Sequence, residues 1–136
     1  MYIYIRITGG VFVRLQESGE MYLESIYILS KGNKNVHSID VGEYLGYSKP
    51  SVSRAMGVLK TGGYIKMAAD GTLTLTELGR EIAEKIYERH TVLTAMLLSF
   101  GVDEVTAAED ACRLEHAISD KSLDAVKRYL KNSGKI

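Results

Sequence analysis

The spacing of apolar and polar residues changes several times along the chain, and each change marks an element. Residues 1–16 alternate, with Tyr2, Tyr4 and Arg6 on one side and Ile3, Ile5 and Ile7 on the other, which is the period of a strand. Thr8, Gly9 and Gly10 suit a turn back through Val11 to Leu15, so residues 1–17 read as an extension with a hairpin, or else as an adventitious leader from an upstream start. From Ser18 the period becomes helical. Ser18 is the expected N-cap of a first helix reaching about Leu29, with Leu23, Ile26, Tyr27 and Leu29 on its buried side and Gly32 at its end. Ser38 is expected to cap a short second helix that turns Ile39, Val41, Tyr44 and Leu45 inward and stops at Gly46.

Ser48 then caps a third helix. Pro50 falls in its first turn, where a missing N–H loses no hydrogen bond. Val52, Met56 and Leu59 make the buried stripe, which leaves Ser51, Ser53 and Arg54 outward, and Gly62-Gly63 ends the helix. A helix, a short glycine turn and a second helix form a helix-turn-helix pattern. Tyr64–Met67 and Thr72–Leu75 read as strands joined across Asp70-Gly71, a hairpin pair, and so as a wing. Thr76 caps a long helix with Glu77 and Glu81 near its start, running on through Ile82, Ile86 and Tyr87. Val92–Phe100 is apolar on nearly every side, which places it in deep core or at a subunit interface. Helices from about Glu104 to Ile118 and from Lys121 to Leu130, broken at Ser119 and Asp120, complete a mainly α chain.

Composition narrows the class. The 136 residues suffice for one compact unit, or for a small head joined to a second helical layer. Hydrophobic residues at 46% and charged residues at 25% argue against long disorder and against a membrane span or membrane partner. Cys112 is the single cysteine and excludes an intramolecular disulfide. No secretory signal pattern is present, so a cytoplasmic location is expected.

A formal net charge of zero opposes nucleic-acid binding until the charges are located. Between Glu43 and Asp70 stand Lys49, Arg54, Lys60 and Lys66 with no acid, whereas Asp103 to Asp120 holds six acids against Arg113 alone. The first segment suits phosphate and the second suits cations.

Cys112, Glu115 and His116 stand at i, i+3 and i+4, so on a helix they share one face and offer a thiolate, a carboxylate and an imidazole. Spacing alone leaves a small core cysteine and a satisfied histidine as the commoner outcome. Met21 and Glu24 form a further i, i+3 pair, and His90 lies mid-helix behind the wing. Taken singly, these three read as a core gap-filler, a solvated charge and a helix-surface residue.

Five blocks in order change the balance: EMYLESIY at 20–27, LGYSKPSVSR at 45–54, LTELG at 75–79, RH at 89–90 and ACRLEHAIS at 111–119. Over Ser18–Leu130 the chain resembles the diphtheria toxin repressor family of metal-dependent repressors, in its short branch that includes manganese transport regulators. The resemblance implies a winged helix-turn-helix over 18–76 and a helical dimerisation and metal-binding domain over 77–136. It puts Met21, Cys112, Glu115 and His116 at the family's activating metal site, and Glu24 and His90 where some members hold a second ion. On this resemblance Thr94 and Ala108 stand where the iron-responsive members have further ligands, and no counterpart of their SH3-like third domain is expected.

The resemblance and helix geometry together put Ser48, Pro50, Ser51 and Arg54 in the first turns of the recognition helix, the part that meets base edges. Arg54 suits guanine O6 and N7, while Ser51 and Ser53 offer less selective hydrogen bonds. Lys49, Lys60 and Lys66 suit phosphates. Gly42 and Gly57, inside predicted helices, cost about 1 kcal/mol each with no reason visible in the sequence.

The expected function is a repressor whose co-repressor is a divalent metal. Thioether and thiolate ligands favour Fe(II), with Mn(II) as the alternative. In this reading metal links Met21 to Cys112, Glu115 and His116, and a homodimer binds a double-stranded operator of metal-homeostasis genes, with no organic cofactor. Two other classes compete. A Zn(II) metallo-enzyme would use the same Cys/Glu/His cluster, but no H-E-x-x-H motif accompanies it. A metal-independent winged-helix regulator or interaction module would bury the cluster as plain core.

Overall fold

Local chemistry sets most element boundaries in the computed structural model, which describes all residues except 1, 2, 8–10, 16, 33 and 34, and side chains from Ser18 onward. The elements are β1 (Ile3–Ile7), β2 (Val11–Leu15), α1 (Glu17–Ser30), α2 (Ser38–Leu45), α3 (Lys49–Thr61), β3 (Ile65–Met67), β4 (Leu73–Leu75), α4 (Glu77–Ser99), α5 (Glu104–Leu114) and α6 (Asp120–Asn132). They fall into two compact units that divide within α4, one ending at Glu84 and the other covering Lys85–Ile136. The fold is therefore mainly α with two separate two-stranded sheets, as the sequence predicts.

In the first unit β1 and β2 pair antiparallel, Ile3 with Leu15 through Ile7 with Val11, while the turn expected at Thr8, Gly9 and Gly10 lies outside the described residues. The α1 helix starts at Glu17, so Ser18 sits inside it instead of capping it. His37, not Ser38, caps α2, because its backbone N–H donates to Asp40 Oδ2 at 2.8 Å and completes a capping box. Gly46 ends α2 in the left-handed region at φ 73°.

Ile39 and Tyr44 were expected inside, yet each is 52% exposed. An eight-residue helix buries one narrow stripe, here Val41 with the half-buried Ser38 and Leu45, and 100° steps carry Ile39 and Tyr44 off it. Ser48 caps α3 as predicted, its Oγ accepting from Ser51 N at 3.4 Å, with Pro50 in the first turn. Val52, Met56 and Leu59 are buried.

The wing strands pair Ile65 with Leu75 and Met67 with Leu73, each one residue shorter than predicted because Tyr64 and Thr72 bond outside the ladder: Tyr64 N donates to Leu59 O, and Thr72 O accepts from Ala68 N. Gly71, at φ 87°, turns the wing. Tyr22, Leu23, Ile26, Val41, Met56, Leu59, Tyr64 and Ile82 are among the core residues of this unit.

In the second unit the core is Val92, Leu93, Ala111, Leu123 and Leu130, with Met96, Ile118 and Val126 against it. The apolar run 92–100 divides: Val92 and Leu93 are buried, Leu98 and Phe100 exposed. Asp103 caps α5 by accepting from Thr106 N at 3.0 Å. That helix ends at Leu114, four residues earlier than predicted, because Ala117 N and Ile118 N both donate to Leu114 O and close a turn. Asp120 belongs to α6, which Ser119 caps, so the break predicted at Ser119 and Asp120 instead covers residues 115–119. No helix among the described residues is long and apolar enough to cross a membrane.

Candidate metal centre and nucleic-acid interface

The second unit gathers three of the candidate ligands. His90 projects from the middle of α4, Cys112 from the last turn of α5, and Glu115 from the residue that ends α5. Glu115 keeps helical dihedrals, φ −60° and ψ −27°, so the i, i+3 relation to Cys112 survives although the helix has stopped. His90 Nδ1 lies 2.9 Å from Glu115 Oε2, and Cys112 Sγ lies 3.7 Å from the same nitrogen. The nitrogen, sulfur and carboxylate oxygen all fall within 4.8 Å of one another. His116 is also buried, and its Nε2 stands 3.3 Å from Glu115 Oε1, so an imidazole flanks each oxygen of this carboxylate.

The donor set fits a divalent cation. A metal with bonds of about 2.0–2.3 Å separates its N, O and S ligands by roughly 3–3.6 Å, depending on the angle between them. The observed 2.9 and 3.7 Å straddle that range. With no cation, a proton on Nδ1 can be shared with Glu115; a ligand nitrogen must give that proton up, and the thiol likewise. Glu115 and His116 are buried while Cys112 is exposed, so the group opens to solvent on the cysteine side. His90, expected beside Glu24 at a second ion, here joins Cys112 and Glu115. Met21 and Glu24 both lie on α1 of the first unit and are half-buried. Thr94 stays within its own helix, donating to His90 O at 2.7 Å.

Sequence reasoning passed over Arg89, which is fully buried. Its Nη1 donates to Glu115 O at 3.1 Å and also to Ile118 O, and its Nη2 donates to the Asp120 carboxylate. This hydrogen bond, followed by that from Lys85, holds the Asp120 carboxyl below its ordinary range. A signal was present: Ile82, Ile86, Arg89 and Leu93 follow helical spacing, so the arginine occupies a core position. Charged side chains are seldom buried unless paired.

In the first unit α3 presents Lys49, Pro50, Ser53, Arg54 and Lys60 to solvent, Ser48 lies exposed at its cap, and Ser51 is half-buried. Lys66 is exposed on the wing. Ser48 Oγ is engaged with Ser51, donating to its hydroxyl at 2.9 Å, so it orients the helix start. The buried Tyr22 and the exposed Tyr47 meet edge to face at 5.8 Å. Burial raises the Tyr22 phenol, Tyr47 adds to the shift and Arg54 opposes it.

Residues 14–73 match the Iron dependent repressor, N-terminal DNA binding domain, and residues 76–135 match the Iron dependent repressor, metal binding and dimerisation domain. The chain belongs to the iron-dependent repressor family. As a member of that family it is a metal-dependent DNA-binding transcriptional repressor, not an enzyme. An uncharacterized HTH-type transcriptional regulator of Methanocaldococcus jannaschii is 36% identical over 118 residues, 85% of this chain and 94% of that protein. The diphtheria toxin repressor of Corynebacterium diphtheriae is 29% identical over 119 residues, 87% of this chain and 53% of its own. Among solved structures, a manganese-dependent transcriptional repressor in complex with manganese superposes with a TM-score of 0.78 at 26% identity, covering 83% of this chain and 52% of that one. The chain thus spans about half the length of these last two repressors of the family.

Proposed function

We propose that this repressor uses His90, Cys112, Glu115 and His116 to bind Fe(II), with Mn(II) as the alternative, and as a homodimer binds a double-stranded operator of metal-homeostasis genes. The observation that supports it most is the approach of three chemically different donor atoms to within 4.8 Å. When bound, a divalent cation supplies positive charge that a thiolate and a carboxylate gain by surrounding. Cys112 contributes a soft sulfur, which favours Fe(II) over the harder Mn(II). His90 would bind through Nδ1 with its ring proton on Nε2, Cys112 would bind as the thiolate and so give up its thiol proton, and Glu115 has an imidazole beside each oxygen. Family resemblance gives Met21 and Glu24 a share in ligation, which Met21→Ala and Glu24→Ala address through cation stoichiometry and affinity.

On the DNA side Arg54 reads guanine, Ser51 and Ser53 make shorter hydrogen bonds, and Lys49, Lys60 and Lys66 meet phosphates. Leu98, Phe100, Val105 and Leu114 are exposed in the second unit and suit the contact with a second copy. Coupling requires that the DNA-binding arrangement hold these ligands better aligned than any other, since a ligand shifts only states it binds unequally.

The test is binding to a duplex selected from a random pool, followed by fluorescence anisotropy under anaerobic Fe(II), under Mn(II) and with chelator. The full chain should bind at least tenfold more tightly with metal, and Cys112→Ala and His90→Ala should abolish that difference. Unchanged metal dependence in both variants defeats the proposal.

A further inference from the structure

Two consecutive residues of α4 hold one turn. His90 takes the Glu115 side chain, Nδ1 to Oε2 at 2.9 Å. Arg89 takes the Glu115 backbone, Nη1 to O at 3.1 Å, and adds the Ile118 carbonyl and the Asp120 carboxylate. Consecutive helix residues project about 100° apart, so one turn of α4 grips Glu115 at two different places. A buried guanidinium is tolerated only when its donors are met, and removing a partner is then strongly unfavourable. Here two carbonyls accept from Nη1 and a carboxylate accepts from Nη2. Both carbonyls belong to the segment that leaves α5 bearing Glu115 and His116, and Asp120 is the first residue of α6. The contacts therefore fix where this segment begins and where it ends.

We propose that Arg89, together with Asp120, is a positioning residue for cation binding: it sets the backbone of residues 115–118 so that the Glu115 carboxylate meets His90 Nδ1 and Cys112 Sγ at one point before any cation arrives. The inference rests on the reading that His90, Cys112 and Glu115 bind the metal. Arg89 Nη1 reaches Glu115 through its carbonyl, a different atom from the carboxylate oxygen that lies beside His90 and Cys112, so this contact and the ligation do not compete for one acceptor. A segment ordered in advance spares the binding step that ordering. Asp120→Asn keeps the shape and removes the charge. Arg89→Lys keeps a charge but replaces a planar fork, which serves three acceptors, with a single point donor.

The experiment is an anaerobic Co(II) titration of the full chain. The thiolate-to-cobalt absorption reports Cys112 ligation, and hydrogen exchange of the 115–118 amides is measured in the metal-free protein. Asp120→Asn and Arg89→Lys should bind Co(II) roughly 10- to 100-fold more weakly. They should also show an altered cobalt spectrum at saturation and faster exchange at 115–118, with unchanged circular dichroism. Glu88→Gln, which removes a surface ion pair with Lys127 one residue from the clamp, should match the wild type. If Arg89→Lys fails to fold, Asp120→Asn decides alone. Folded variants with wild-type affinity, spectrum and exchange overturn the positioning role and leave the metal reading intact. A wild-type chain that takes up no Co(II) overturns the metal reading, and the positioning role with it.

Discussion

At the scale of single residues, the chemistry of the second unit is concentrated on Glu115 and Asp120, two carboxylates with opposite surroundings. Glu115 is buried between two imidazoles, whereas Asp120 is mostly exposed and faces Arg89 and Lys85. The Arg89 contact, then Lys85, lowers the Asp120 carboxyl below its ordinary value of 3.8. A depressed carboxyl stabilises the fold at pH above its unfolded value, and that contribution disappears as pH falls through the lower folded value. The window is therefore acidic, below about pH 4. In metal-free protein the stability of Asp120→Asn, from denaturant melts, should run closer to that of the wild type as pH falls below this point. Curves that stay parallel down to the acid limit would show that Asp120 gains nothing from Arg89. The sequence displayed this pair only indirectly. Arg89 sits in an apolar stripe and so announces a buried charge, but its partners are backbone carbonyls, which no residue identity reveals.

At the scale of elements, the winged head shows why some boundaries were legible and others were not. Capping and turn residues act through their own neighbours, so Ser48, Gly46 and Gly71 do what the sequence implied. Inward-facing positions on α2 were misread because a short helix has several faces of similar polarity, and only its packing partner selects one. At Gly42 an added Cβ would come to 3.4 Å from Tyr47 O and from the Val52 side chain, a close but ordinary contact. Gly57 meets nothing within 4 Å, and no packing explains it.

The docking of α4 on the wing is more demanding. Thr76 N donates to Tyr64 O at 3.0 Å and Thr76 Oγ1 donates to Gly63 O at 2.7 Å, which brings the start of α4 so close to the chain entering β3 that a Cβ on Gly79 would overlap the Tyr64 carbonyl. Backbone cannot yield as a flexible side chain would. Gly79→Ala should lose about 1–3 kcal/mol of stability despite its better helix propensity, seen as a lower urea midpoint. A midpoint equal to or above the wild type would contradict this packing.

At the scale of the whole molecule, a net charge of zero conceals two segments of opposite charge. The cations of α3 and the wing lie in the first unit, while the acids of α5 and its turn lie in the second. Binding to duplex DNA should weaken with salt according to the number of phosphates neutralised. Lys60→Ala and Lys66→Ala should each lower that slope by about one without changing sequence preference, while Arg54→Ala should lose about 1–3 kcal/mol and relax the preference at one base. Salt titrations on matched and mismatched duplexes check both, and an unchanged slope in the lysine variants would remove them from the interface. Fold class, the helix-turn-helix and the Cys112–Glu115 spacing were open to reading from the chain alone. Entry of His90 into the same cluster was not, because it depends on how α4 packs against α5.

The exposed side of Cys112 has a bearing on time. Glu115 and His116 are enclosed, yet the sulfur borders water, so a bound ion would leave through an existing mouth with no part of the fold having to open. Occupancy would then track the free ion pool as it falls as well as when it rises, and the genes under control would be released soon after scarcity begins.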